Sequence, residues 1–256
     1  MNIKKENTLV ASTGIIARRL PVNLIKKAIP QLVAGLSKEA IDKAKRAIMT
    51  TDFIAKEVSV KFNIGAKKIT ICGVAKGAGM IAPNMATMLV FIFTDANITQ
   101  NAINKALKLC VANSFNCITI DGCMSTNDSV MLLANGAAGN SLIKGGENFN
   151  LFVKALNIVC LELAKMIVKD GEGATKFIEI KIRGAKKFED AKKVALNIAN
   201  SNLFKTAMFG ENPNFGRIVA SVGASGVDIK EKDIKIKVSP LNKKDIFVGV
   251  SIGRGN

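Results

Sequence analysis

Residues 88–93, MLVFIF, form an unbroken apolar run. A run this short and this apolar reads as a strand near the middle of a sheet, covered on both faces. Such a strand needs apolar helices to lie against it, and the sequence supplies them. Residues 149–169 place Phe152, Leu156, Val159, Cys160, Leu163 and Ile167 at i, i+3, i+4 spacing before Asp170-Gly171 ends the pattern. Residues 101–114 put Ile103, Ala106, Leu107 and Cys110 on a single helical face.

Elsewhere the period changes. Val58, Val60 and Phe62 alternate with polar residues, residues 63–68 supply a turn, and residues 69–71 alternate again, so a β-hairpin is expected. Residues 178–182, 234–238 and 246–252 read as further strands, and residues 117–120 as a short one. Residues 21–29, 37–49 and 188–199 read as helices, the second starting at Ser37 with Glu39 close behind. Residues 130–134 are expected to form a helix capped by the polar turn 125–128, and residues 73–85 a loop. Strand-like and helix-like segments alternate without a repeat or a linker, which predicts one α/β (α+β) unit of mixed sheets covered by helices.

Thirty-seven Lys and Arg against 20 Asp and Glu give a formal charge of +17, which raises the question of a polyanionic partner. The basic residues are interleaved with acidic ones, and there is no Tyr or Trp for base stacking. A lysine-rich solvated surface is therefore expected, with no nucleic-acid partner, and the charge suits small anionic substrates. Residues 8–14 are too short and too polar for a signal core or a membrane span, so a cytoplasmic protein without membrane association is expected. Five cysteines without CxxC spacing, and no histidine, argue against a zinc site and for reduced packing thiols. The missing imidazole also removes Ser-His-Asp and Cys-His catalysis, so a nucleophile here needs another base.

Thr87 stands where a loop carrying Pro83 meets the apolar run. Its hydroxyl needs a base, and a freed α-amine, with an ordinary pKa of about 7.7–8.0, would serve if Thr87 became a chain terminus. An acyl shift from the Ala86 carbonyl to that hydroxyl would create the terminus. An ordinary strand-edge threonine is the plain alternative.

The stretch 75–89, AKGAGMIAPNMATML, resembles the self-cleavage motif of the bifunctional glutamate N-acetyltransferase (ornithine acetyltransferase) family. So, in the family's order, do ASTG at 11–14, AIMTTD at 47–52, TIDG at 119–122 with STND at 125–128, DGEGATK at 170–176 and NPNFGRI at 212–218. The resemblance implies that family's layered α/β sandwich and cleavage between Ala86 and Thr87. Residues 1–86 would then form an α-chain-like segment and 87–256 a β-chain-like segment of one intertwined unit. It implies acetyl transfer from N2-acetyl-L-ornithine to L-glutamate through an acetyl ester on Thr87, with the Thr87 amine as base. Thr13 and Gly14 match the family's oxyanion hole. Lys76 would meet a substrate carboxylate and Glu172 a substrate amine, with Thr50, rather than Thr51, supplying a hydroxyl.

The same resemblance implies no resident cofactor, acetyl-coenzyme A as a conceivable donor, and a heterotetramer of two α and two β segments. It also implies a chain shortened at both ends, the missing tail carrying an asparagine and a threonine that bind substrate in the family. Ala17 stands where the family has a glycine, and Phe215 where it has a tryptophan. Two further readings remain: a terminal-threonine amidase or aminopeptidase, and an inactive fragment acting as a basic interaction protein.

Overall fold

The structure is a computed structural model that describes residues 3–37, 39–82 and 88–253. After an N-terminal segment come helices α1 (Val22–Ala34) and α2 (Ala40–Ala47), then strands β1 (Lys56–Ile64), β2 (Lys67–Lys76) and β3 (Leu89–Thr94). Helix α3 (Gln100–Ala112), strand β4 (Ser129–Ala134) and the long helix α4 (Gly146–Lys169) follow. The remainder is β5 (Phe177–Arg183), α5 (Phe188–Asn200), α6 (Asn202–Phe209), α7 (Phe215–Gly223), β6 (Ile234–Val238) and β7 (Asp245–Ile252).

The expected hairpin is β1–β2, antiparallel from Lys56↔Ala75 to Ile64↔Lys67, its two-residue connection starting at Gly65 with φ 56°. β3 joins β2 antiparallel and β4 joins β3 in parallel, giving a mixed sheet of order β1-β2-β3-β4. α4 packs on β1, β2 and α3, burying Phe152, Leu156, Val159 and Leu163 against Ile69, Ile71, Val90 and Ile92. Gly73 makes that approach possible: a Cβ there would stand 2.8 Å from Leu163 Cδ1 and 3.0 Å from Val159 Cγ1. The second sheet, of order β5-β7-β6, is also mixed. It builds a second core in which Val194 and Ile198 of α5, Phe204 of α6 and Ile218 of α7 meet Val248 and Val250.

Several sequence expectations are corrected. The run at 88–93 is fully covered on one face only: Val90 and Ile92 are sealed, whereas Phe93 is 40% exposed. Residues 130–134 are strand β4 rather than a helix, since Ser129 N–H donates to Met88 O and sets the parallel register with β3. β2 runs to Lys76, so the loop begins at Gly77, not at 73. Residues 117–120 are not a strand; the 3-10 turn Phe115–Cys117 leads into a segment whose Ile120 N–H bonds Ile81 O. Helix α2 starts at Ala40 without a side-chain cap, and α6 and α7 lie where no helix was expected. α1 has no buried residue, and Leu24 and Leu32 on it are each 66% exposed. Ahead of it, Ala17 holds φ 64°, a left-handed conformation that glycine adopts more readily.

Candidate active site

Strand pairing carries β2 inward until its last four residues are all buried. Lys76, at the end, is 2% exposed. Burial pushes its ammonium below the ordinary lysine value; Asp52 pulls it back up, Lys56 lowers it further and Asp128 raises it. The chain then turns at Gly77, φ 147°, whose N–H donates to Asp52 Oδ1 at 2.6 Å.

Asp52 belongs to a buried charge cluster. Lys56 Nζ, on a residue with no exposed surface, lies 2.7 Å from Asp52 Oδ1 and 2.5 Å from Asp170 Oδ2, and it also donates to Ile54 O at 3.3 Å. Asp52 Oδ2 accepts the Thr50 N–H at 3.1 Å, and Asp170 Oδ2 accepts the N–H groups of Phe53 and Ile54. Burial pushes the Asp52 carboxyl up, but Lys56 and the Gly77 and Thr50 N–H groups outweigh it and hold it below the usual carboxylate value. The cluster ties the segment after α2, the start of β1, the turn after β2 and the end of α4 into one rigid frame.

Beyond Gly77 the loop is clamped from two other sides. Ala78 O accepts the Glu172 N–H at 2.7 Å. The exposed Glu172 carboxylate lies so close to Gly79 that a Cβ there would sit 2.6 Å from Oε1. Asp121 receives the N–H of Met80 on Oδ2 at 2.5 Å and that of Ile81 on Oδ1 at 3.0 Å, which fixes Met80 at φ 55°. Glu172 also lines a pocket of about 260 Å³ shared with Thr119, Lys176, Phe204, Lys205 and Met208.

On the far side of residues 83–87 the chain reappears at Met88. Its N–H donates to Asp128 Oδ1 at 2.6 Å. Oδ2 of the same carboxylate is buried and has no hydrogen-bond partner among the described residues. Burial raises the Asp128 carboxyl to about 6, against the opposing pull of the Met88 N–H and Lys76.

Of the residues singled out in the sequence, Lys76, Glu172 and Thr50 are connected: Thr50 and Gly77 share the Asp52 carboxylate, and Glu172 rests on Gly79. Thr50 and Thr51 are both exposed. Thr13 and Gly14 lie in the segment before α1, and no hydrogen bond among the described residues ties them to the cluster; a Cβ on Gly14 would meet Leu20 Cδ2 at 3.3 Å. Ala86 and Thr87 lie outside the described residues. Sequence reasoning missed the roles of Asp52, Lys56, Asp121, Asp128 and Asp170. One signal was available: Lys56 has the same parity as Val58, Val60 and Phe62, and a lysine at an inward-facing strand position needs buried partners.

The model of the ArgJ family matches residues 1–249 of this chain. The chain belongs to that family. "Arginine biosynthesis bifunctional protein ArgJ 1" of Clostridium acetobutylicum is 49% identical over 245 residues, covering 95% of this chain and 60% of the relative. "Glutamate N-acetyltransferase" of Methanocaldococcus jannaschii is 50% identical over 248 residues, covering 95% and 60%. The chain therefore spans about 60% of the length of these curated relatives. The crystal structure of the Bacillus halodurans protein argJ superposes with a TM-score of 0.62 at 35% identity, covering 65% of this chain and 88% of that one. The layered architecture of mixed sheets and helices is thus that of the ArgJ fold.

Proposed function

We propose that this chain is an acetyltransferase that moves acetyl from N2-acetyl-L-ornithine to L-glutamate, after cutting itself between Ala86 and Thr87. Thr87 carries the acetyl group as an ester and its freed amine moves the proton. Thr13 and Gly14 donate to the oxyanion, a contribution of about 2.7–4 kcal/mol per donor to the barrier. Lys76 takes a substrate carboxylate, Glu172 a substrate amine, and Thr50 a hydroxyl contact. The segments 1–86 and 87–256 stay together, two copies of each forming a heterotetramer in the cytoplasm. No resident cofactor is involved, and acetyl-coenzyme A is a conceivable alternative donor.

One observation carries this reading. The residues leading to and from the 86–87 bond are held by buried or clamped charges of both signs, Lys76 and Asp52 on one side and Asp128 on the other, with Glu172 against the same loop. A small zwitterionic amino acid presents the complementary pair of charges. The names of the relatives, which include an arginine-biosynthesis bifunctional protein and a glutamate N-acetyltransferase, support acetyl transfer to glutamate.

Intact mass and N-terminal sequencing test the cut: two fragments are expected, one beginning Thr-Met-Leu-Val. Exchange of label between glutamate and acetylglutamate tests the chemistry, since an amidase that passes the acyl group to water gives none. Cutting that persists in Thr87→Ala would sink the terminal-threonine mechanism.

A further inference from the structure

The proposed reaction sets one demand on its binding site. Acetyl leaves the α-nitrogen of ornithine and arrives on the α-nitrogen of glutamate through one acetyl carrier, so both amino-acid heads occupy the same place and both side chains extend into the same space. Those side chains end in opposite charges, an ammonium and a carboxylate. A carboxylate such as Glu172 attracts the first and repels the second. Glutamate therefore needs a cation in the space that Glu172 faces.

Lys205 on α6 meets that requirement. It lines the pocket of about 260 Å³ that Glu172 also lines. Its Nζ donates to Ile120 O at 2.7 Å, and it forms no ion pair among the described residues. An ammonium carries three donors, so one carbonyl leaves room for a ligand. The residue is half-buried, where a cation without a counter-charge is costly. The other lysine of the pocket differs, because Lys176 Nζ lies 2.8 Å from Glu211 Oε1 and already has its counter-charge. Glu172 also forms no ion pair among the described residues, so the pocket keeps two unlike charges apart instead of joining them.

Both charges are fixed to the same loop. Glu172 N–H donates to Ala78 O at 2.7 Å. Ile120, whose carbonyl holds Lys205, donates its own N–H to Ile81 O, also at 2.7 Å. Lys76, which takes the head carboxylate in the proposed reaction, stands at the end of β2 where that loop begins. One loop thus sets the positions of the head-group cation and of both pocket charges. The walls between them include Ile120, Val168, Phe204 and Met208, an apolar lining that suits the methylene chains of both substrates.

We propose that this pocket is a side-chain site for both substrates, in which Lys205 takes the side-chain carboxylate of glutamate and Glu172 the side-chain ammonium of ornithine, an inference that rests on the reaction proposed above. Lys205 is then the residue that lets glutamate enter a site built around a carboxylate. Each substrate meets one attractive and one repulsive charge, and it settles against the unlike one. Removing either charge should shift the two affinities in opposite directions.

Calorimetric titration of the purified 256-residue chain with L-glutamate, L-ornithine and L-norvaline, whose side chain is uncharged, tests this beside the label-exchange assay. Wild type is expected to bind glutamate and ornithine each more tightly than norvaline. K205Q, which keeps an N–H donor for Ile120 O, is expected to bind glutamate at least about tenfold more weakly, the scale of one hydrogen bond to a charged group, and ornithine more tightly. K205R is expected to restore glutamate, and E172Q to weaken ornithine and tighten glutamate. A folded K205Q that weakens both ligands alike has lost a structural contact only and overturns the proposal, as does one that binds glutamate as wild type does, or a wild type that binds norvaline as well as glutamate. If K205Q does not fold by circular dichroism, E172Q decides, because glutamate binding that fails to tighten there puts its carboxylate elsewhere and overturns the proposal. The reciprocal pattern without label exchange keeps the pocket assignment and overturns the proposed reaction; exchange without the pattern does the opposite, and the absence of both overturns both.

Discussion

Replacing Lys56 by methionine tests the buried frame behind the site. Methionine keeps the length of the apolar stem, so the change removes the ammonium with little loss of packing. What remains is two carboxylates whose side chains are 0% and 4% exposed, previously 2.7 and 2.5 Å from one cation. Breaking a buried pair from one side costs about 3–5 kcal/mol. Here two anions lose the same partner, which argues for the upper end, while the four backbone N–H groups on Asp52 and Asp170 argue for less. A loss of about 4 kcal/mol is expected, a large share of the roughly 5–15 kcal/mol that holds a domain together. In urea, with a slope of about 3 kcal/mol/M, the midpoint should fall by more than 1 M.

The charge argument has two internal checks. Adding Asp52→Asn and Asp170→Asn to Lys56→Met should recover part of the loss, because the stranded charges go. The gap between wild type and Lys56→Met should also narrow on acidification. In the wild type, Asp52 is held below its ordinary value, so its contribution is present above about 3.9 and is lost as pH falls further. In the variant Asp52 loses the cation that opposes its burial, so its protonation on acidification relieves part of the penalty. A shift under 1 kcal/mol, or a triple variant weaker than the single one, would refute the reasoning.

Gly73→Ala should destabilise by about 1–3 kcal/mol, measured by thermal unfolding, because its Cβ meets Leu163 and Val159 at 3.0 Å or less. Lys76→Met should raise the Asp128 titration above about 6, read from its side-chain carboxyl carbon by NMR, since the Lys76 charge now lowers it; an unchanged titration would separate the two residues. Asp128→Asn should be more stable than wild type at pH 8, the advantage fading below pH 6. A carboxyl raised from 3.8 to about 6 loses folded-state stability as pH rises through that window. About two units amount to a ceiling near 3 kcal/mol, and partial exposure of the residue reduces the expected gain to about 1 kcal/mol.

The sequence made local elements legible where one period dominated. The β1–β2 hairpin and α4 carry their spacing plainly, and the apolar run gave β3. Residues 130–134 misled because five successive apolar residues have no period. Their state is decided by Ser129 bonding Met88 across 41 positions, which no window can see. The site shows the same division. Lys76 and Glu172 were legible through motifs, whereas the Asp52–Lys56–Asp170 cluster joins residues 114 positions apart. Only the parity of Lys56 hinted at it. Asp128 read as a turn residue, because the burial of its second oxygen is a product of tertiary packing.

The antiparallel ladder between β2 and β3 has a consequence for the proposed cut. Six residue pairs, from Ile71↔Thr94 to Lys76↔Leu89, join the strand before residues 86 and 87 to the strand after them. Ile71 and Val74 on one side and Val90 and Ile92 on the other are at most 3% exposed. Severing the chain therefore opens the covalent path without opening the sheet: the two pieces would have to unzip a hydrogen-bonded seam and wet a shared core before they could part. The mature protein would be a single fold inscribed on two strings, whose ends are free to do chemistry because something other than the backbone keeps them in place.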